Sequence, residues 1–135
     1  MSGRLSKIER ETLRDRFTGR CGYCGGTLGE RWHADHVEPV IREARYERGK
    51  GYVQTGAMLR PHLDTFENRM PACAPCNISK GSHGLESWRL VLSETLAVLR
   101  RNYPLYRTAL RLSMVAEVTA PVVFFFETLK PQDPQ

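Results

Sequence analysis

No apolar stretch in this chain runs longer than five residues, and the longest, Val122 to Phe126, is far too short to cross a bilayer. The opening segment, MSGRLSKIERETLRDRF, has no apolar core, so no signal peptide is expected. Internal repeats and low-complexity segments are missing as well. Acidic residues are outnumbered, 15 against 20 Lys and Arg, for a formal net charge of +5. That balance favours a polyanionic partner, and nucleic acid is the commonest one. Cysteine is scarce, with four in the chain. A disulfide framework is not expected without a secretory segment, because the cytosol keeps thiols reduced. What is present, 135 residues with 41% hydrophobic and 26% charged content, predicts a single globular domain over residues 1–135.

The four cysteines fall in two pairs, Cys21/Cys24 in CGYCGG and Cys73/Cys76 in CAPCN. Two C-x-x-C pairs at a distance match a tetrahedral, four-thiolate structural Zn²⁺ site. A thioredoxin-like redox motif explains one pair poorly and two pairs worse. The glycines of CGYCGG permit a tight turn whose backbone amides can face thiolates.

Along the chain, Ser6 followed by Glu9 is a capping-box pattern, and Leu5, Ile8, Leu13 and Phe17 predict a helix over residues 6–17. Residues 31–37 predict a short strand with Trp32, Ala34 and Val37 as its apolar content. Residues 42–56 are charged and glycine-rich with little periodicity, which predicts a long loop. Its Arg42, Arg45, Arg48 and Lys50 suit either DNA contact or plain solvation. NRMPAC (68–73) predicts a return strand ended by Pro71, and APCNISK a short helix closed by Gly81. Leu85, Trp88, Leu92, Leu96 and Leu99 predict one longer helix, its stripe packed in a core. Asn102 is the expected cap of a further helix from Pro104, with Leu105, Ala109 and Leu112 inward. PVVFFFE (121–127) predicts a buried or partner-paired strand, and KPQDPQ a frayed tail.

Zinc on the four cysteines would join segments separated by the 48 residues between Cys24 and Cys73. That interval is far longer than in a zinc ribbon, so the clamp encloses something sizeable. Inside it lies WHADHVEP, in which Asp35 and His36 are adjacent. Such a pair is a catalytic couple, a metal site or ordinary polar decoration. Asn77 directly follows the last cysteine, so the clamp brings it toward the Asp35-His36 strand.

The ordered series CGYCGG, ADHVEP and ENRMPACAPCNISKG, about residues 19–84, resembles the HNH endonuclease family in its cysteine-paired bacterial and phage subgroup. The resemblance implies an α+β fold, a small ββα-metal finger clamped by the four-cysteine zinc site and flanked by N- and C-terminal helices. It implies His36 as the general base that activates water, and Asp35 as a ligand of a catalytic divalent cation. Asn68 takes the place of the central asparagine that steadies the loop between the two strands. Asn77 stands where many relatives carry histidine, which makes this an H-N-N version with Asn77 as the second ligand. An amide oxygen is harder than imidazole and suits Mg²⁺ better. DNA is the implied substrate, and a bacterial or phage-infected cytoplasm the implied location, with a monomer or weak homodimer as the acting species.

The chemistry is coherent on the residues themselves. Phosphodiester hydrolysis needs a deprotonated water and stabilised charge on the phosphoryl and leaving oxygens. An imidazole accepts a proton at neutral pH. A cation on one carboxylate and one amide keeps open positions for phosphate and water. Lys80 would share a helix face with Asn77 and meet a phosphate, or else be an ordinary surface lysine. His33 is expected to be structural or to touch substrate, and His62 and His83 to be solvated. Glu38 either braces the site or is a surface acid, and Trp32 and Trp88 are expected in the core. Two rivals to a nuclease remain: a non-catalytic zinc-stabilised module that binds nucleic acid, and an interaction domain using the C-terminal helices and VVFFFE.

Overall fold

The computed structural model describes residues 3–129 and gives an α+β protein with two small antiparallel sheets and six helices among the described residues. The chain divides into two compact units. One comprises the residues up to Gly84 together with those from Phe124 onward, and the other is Leu85–Val123.

The first unit begins with α1 (Lys7–Arg16), held at its start by the reciprocal bonds of a capping box. Ser6 Oγ accepts from the Glu9 amide at 3.2 Å, and Glu9 Oε1 accepts from the Ser6 amide at 3.1 Å. Leu13 is the helix's buried anchor, whereas Ile8 faces solvent. The CGYCGG turn follows, and Gly22 has no room for a side chain. A Cβ there would lie 2.1 Å from Met70 Sδ. The Gly22 amide instead donates to the Pro71 carbonyl at 2.7 Å, tying the turn to the sheet.

Strand β1 (Trp32–His36) pairs antiparallel with β4 (Arg69–Cys73), Trp32 opposite Cys73 and His36 opposite Arg69. Alternation puts Trp32, Ala34 and His36 on one face with Cys73, Pro71 and Arg69, and Asp35 on the other beside Met70. Pro71 does not end its strand, which runs on to Cys73. Its carbonyl points outward to Gly22, so its missing N–H also lies on the outer edge and costs no ladder bond.

Residues 42–56 are not a loop. They form most of a ribbon, β2 (Arg42–Glu47) and β3 (Gly51–Met58), with Tyr46 opposite Tyr52 and an irregularity between Arg42 and Ala44. Both faces of this ribbon are largely exposed, so neither needs apolar residues and the period-two signal of a strand is missing. The ribbon's root is fixed by Val40 and Ile41, whose carbonyls accept from the amides of Arg60 and Leu59.

Helix α2 (Ala74–Lys80) follows β4 directly and stops at Gly81, whose φ of +54° favours glycine. Chain from the far end completes the unit. Phe124 is buried edge-on against Tyr23, their centroids 5.6 Å apart. The amides of Phe125 and Phe126 donate to the carbonyls of Tyr23 and Gly22. The expected strand at 121–127 is therefore absent. One helical turn, α6 (Phe125–Thr128), stands there, because turn carbonyls and not a strand edge receive its amides. The frayed tail expected at 130–135 lies outside the described residues.

In the second unit the expected long helix is two, α3 (Leu85–Ser93) and α4 (Thr95–Asn102). The Ser93 and Thr95 hydroxyls donate back to the Leu90 and Leu92 carbonyls, a competition that bends helices, and Glu94 takes φ −90°, ψ 0°. Asn102 ends α4 and does not cap α5 (Pro104–Arg111). Tyr103 occupies the cap position with no side-chain bond. Leu105 and Leu112 are exposed, not inward.

Candidate functional site

The four cysteine sulfurs lie within 4.8 Å of one another. Two come from the CGYCGG turn, one from the last residue of β4 and one from the first turn of α2. A tetrahedral zinc with Zn–S bonds of about 2.3 Å sets sulfurs about 3.8 Å apart. Cys24 and Cys73 stand at 3.8 Å, far beyond a disulfide bond, and all four are free thiols. Burial works to raise the Cys21 thiol, but the amides of Cys24, Cys73 and Tyr23 outweigh it and hold it below the ordinary thiol range. Burial pushes the Cys76 thiol up, with the neighbouring cysteines adding to the rise. Deprotonated together at this spacing, the four would need a cation between them. The donor set and the spacing fit a metal such as zinc.

Asp35 and His36 occupy the end of β1 and turn to different partners. Asp35 Oδ2 accepts from the Tyr23 hydroxyl at 2.7 Å and sits 3.2 Å from Lys80 Nζ. Its Oδ1 has no hydrogen bond among the described residues. Burial, and then the Asp35 charge, raise the Tyr23 phenol far above its ordinary range, which keeps it a donor. His36 Nε2 lies 2.8 Å from Asp64 Oδ1, and the same carboxylate oxygen accepts from Arg69 Nη2 at 3.0 Å.

Although neighbours on a strand face opposite ways, both residues reach one cleft. It has a volume of about 500 Å³, and its wall includes His33, Asp35, His36 and Asn77. Arg4 and Arg42 add positive charge to the rim. The Asn77 side chain has no hydrogen bond among the described residues, so its amide oxygen is available. His33 is exposed on Asp35's face, as the two-residue spacing predicts.

Asn68 lies at the junction of the 3-10 turn Phe66–Asn68 with β4 and ties the ends of the enclosed segment together. Its Oδ1 accepts from the Glu38 amide at 3.0 Å, and its Nδ2 donates to the Glu38 and Leu63 carbonyls at 2.8 Å each. Asn68→Asp keeps the acceptor but sets a carboxylate against two carbonyls. It is expected to cost about 1–3 kcal/mol, read as a lowered urea midpoint with unchanged slope.

Lys80 is not a surface phosphate contact. It is fully buried, and its ammonium donates to the His36 carbonyl at 2.8 Å while pairing with Asp35. The helix spacing is right, but the face it shares turns inward. Lys80→Met should destabilise the protein by about 3–5 kcal/mol, because it strands the half-buried Asp35 carboxylate. A thermal melt checks this. Lys80→Met combined with Asp35→Asn should recover much of the loss.

Three residues of the site carry no sequence signal of their role. Tyr23 reads as a spacer in CGYC, Asp64 as a loop acid, and Arg69 as one of many basic residues. Only contacts distant in the chain reveal them. Trp32 and Trp88 are buried as expected, and His62 and His83 are exposed. Comparison of the chain with family models, with curated proteins and with solved structures returns no match.

Proposed function

We propose that this protein is a metal-dependent DNA endonuclease of the HNH type, with β1, β4 and α2 as its strand-strand-helix core. The observation that carries the reading is the convergence of Asp35, His36 and Asn77 on one arginine-rimmed cleft beside the four-cysteine cluster. In this reading Zn²⁺ on Cys21, Cys24, Cys73 and Cys76 is structural. Asp35, through Oδ1, and Asn77, through its amide oxygen, would hold Mg²⁺ or another divalent cation. Such a cation supplies charge stabilisation at the phosphoryl and leaving oxygens.

The chain's own residues do the rest. His36 takes a proton from the attacking water. Arg4 and Arg42 hold the phosphate backbone against the rim. Asn68 fixes the segment between the strands and with it the position of His36. One such cleft cuts one strand at a time, so a nick is the expected product.

Supercoiled plasmid incubated with the zinc-loaded protein tests the reading. Conversion to open circles with Mg²⁺ or Mn²⁺, and none without, supports it. One observation favours the second reading, a non-catalytic zinc-stabilised module that binds nucleic acid. Lys80 neutralises Asp35 and so weakens its pull on a cation. Salt-sensitive DNA binding with no cleavage under any divalent cation would establish that alternative. Within VVFFFE, Phe124 is buried in its own unit and so offers nothing to a partner, whereas Val123 is exposed.

A further inference from the structure

Asp64 lies in none of the stretches that carry the resemblance, yet it is the side chain that holds the His36 ring. Its carboxylate is itself held by Arg69. Arg69 Nη2 donates to the same Oδ1 that meets His36 Nε2, while Arg69 Nη1 donates to the Ala34 carbonyl at 2.7 Å. The backbone carrying Asp64 is pinned as well: its amide donates to the Pro61 carbonyl, and Asn68 Nδ2 holds the carbonyl of Leu63 next to it. All three side chains are nearly closed to water, at 13% exposure for His36, 9% for Asp64 and 7% for Arg69. His36 and Arg69 are opposite partners in the β1–β4 register, so the sheet sets the spacing of the trio.

An ionised carboxylate only accepts hydrogen bonds. Arg69 keeps Asp64 in that form, so the proton shared with His36 belongs to Nε2. In the neutral ring the lone pair must then lie on Nδ1. We propose that Asp64 is a positioning residue that fixes His36 as the Nε2–H tautomer, with Nδ1 as the atom that takes the proton from water. The proposal rests on the nuclease reading for its second half only. The tautomer and ring orientation follow from the contacts whether or not the chain cuts DNA.

The isosteric Asp64→Asn change separates these halves. Its amide can donate as well as accept, so Nε2 is no longer obliged to carry the proton. The first measurement is the two-bond ¹H–¹⁵N correlation spectrum of the histidine rings, in zinc-loaded protein at a pH where His36 is neutral. The parent should show a protonated Nε2 and a bare Nδ1 for His36, and Asp64→Asn a mixture, with His33, His62 and His83 unchanged. The second measurement is plasmid nicking under saturating Mg²⁺. Here kcat should fall about 10- to 100-fold, the usual cost of losing a partner that orients a histidine, with KM little changed. An unchanged His36 spectrum in Asp64→Asn overturns the proposal, and so does an unchanged kcat when the parent cleaves. If the parent does not cleave, the nuclease reading fails and the spectrum alone decides for or against Asp64. Should Asp64→Asn lose its folded circular dichroism, Asp64→Glu takes its place. Retention of the Nε2–H pattern with that carboxylate supports the assignment, and its loss overturns it.

Discussion

His36→Ala is expected to abolish metal-dependent nicking of supercoiled plasmid while the protein stays folded and keeps its cysteine-bound metal. The loss should be at least the 10²- to 10⁴-fold typical of a removed general base. The fold should survive because the ring is not a structural keystone. Asp64, its one side-chain partner among the described residues, retains the Arg69 guanidinium, so the substitution strands no buried charge. The His36 backbone keeps its place through the carbonyl that accepts from Lys80. Circular dichroism and zinc content of the variant are the controls. Undiminished cleavage in a folded His36→Ala protein would refute the proposed base.

The second large effect is expected from removing the metal at the cysteines. Stripping it should unfold the unit that carries the cleft and should not merely inactivate it. The apolar core there is small: Leu13, Cys21, Tyr23, Leu28, Trp32, Val40, Met70, Pro71, Ala72 and Phe124 are its buried members. The finger itself, about residues 19–84, is short enough that so small a core rarely folds it without a staple. Structural zinc in comparable fingers contributes about 10–16 kcal/mol. The chelated protein is therefore expected to lose its near-ultraviolet dichroism. Zn²⁺ alone should restore the dichroism without activity, and Mg²⁺ alone should restore neither. Adding Mg²⁺ after Zn²⁺ should bring back nicking. A chelated protein with an undisturbed spectrum would show that the cluster is not a structural metal site. Cys73→Ser should act in the same direction, since Cys73 is the thiol that the end of β4, opposite Trp32, would give to the proposed site.

What the sequence made legible is what local chemistry dictates. The Ser6–Glu9 box, the glycine at 81 and the strand-strand-helix series around the cysteines each depend on residues close in the chain, and each stands where the pattern puts it. The ribbon was illegible for a physical reason: with both faces exposed, no alternation was needed to build it. The strand former run at 121–127 misled for the opposite reason. Its composition suits a strand, but its amides found the carbonyls of Gly22 and Tyr23. At the site, the pairing of Asp35 with His36 could be seen in the letters, and the partners of each could not. Tyr23, Asp64 and Arg69 become meaningful only once the turn, the 3-10 segment and β4 are folded together. Lys80 shows the limit of spacing: the interval from Asn77 gives the helix face but not which way that face looks.

The way Phe124 returns to Tyr23 has a consequence for the order in which the molecule is made. Translation delivers the cysteines, β1, β4 and α2 by residue 84, but the ring that covers Tyr23 comes only after the whole of Leu85–Val123. During that interval Tyr23, whose hydroxyl holds Asp35, lacks its cover. A nascent chain thus has all four cysteines of the proposed metal site well before the Asp35 side of the cleft reaches its final packing. The last-made part of the unit closes over some of the first.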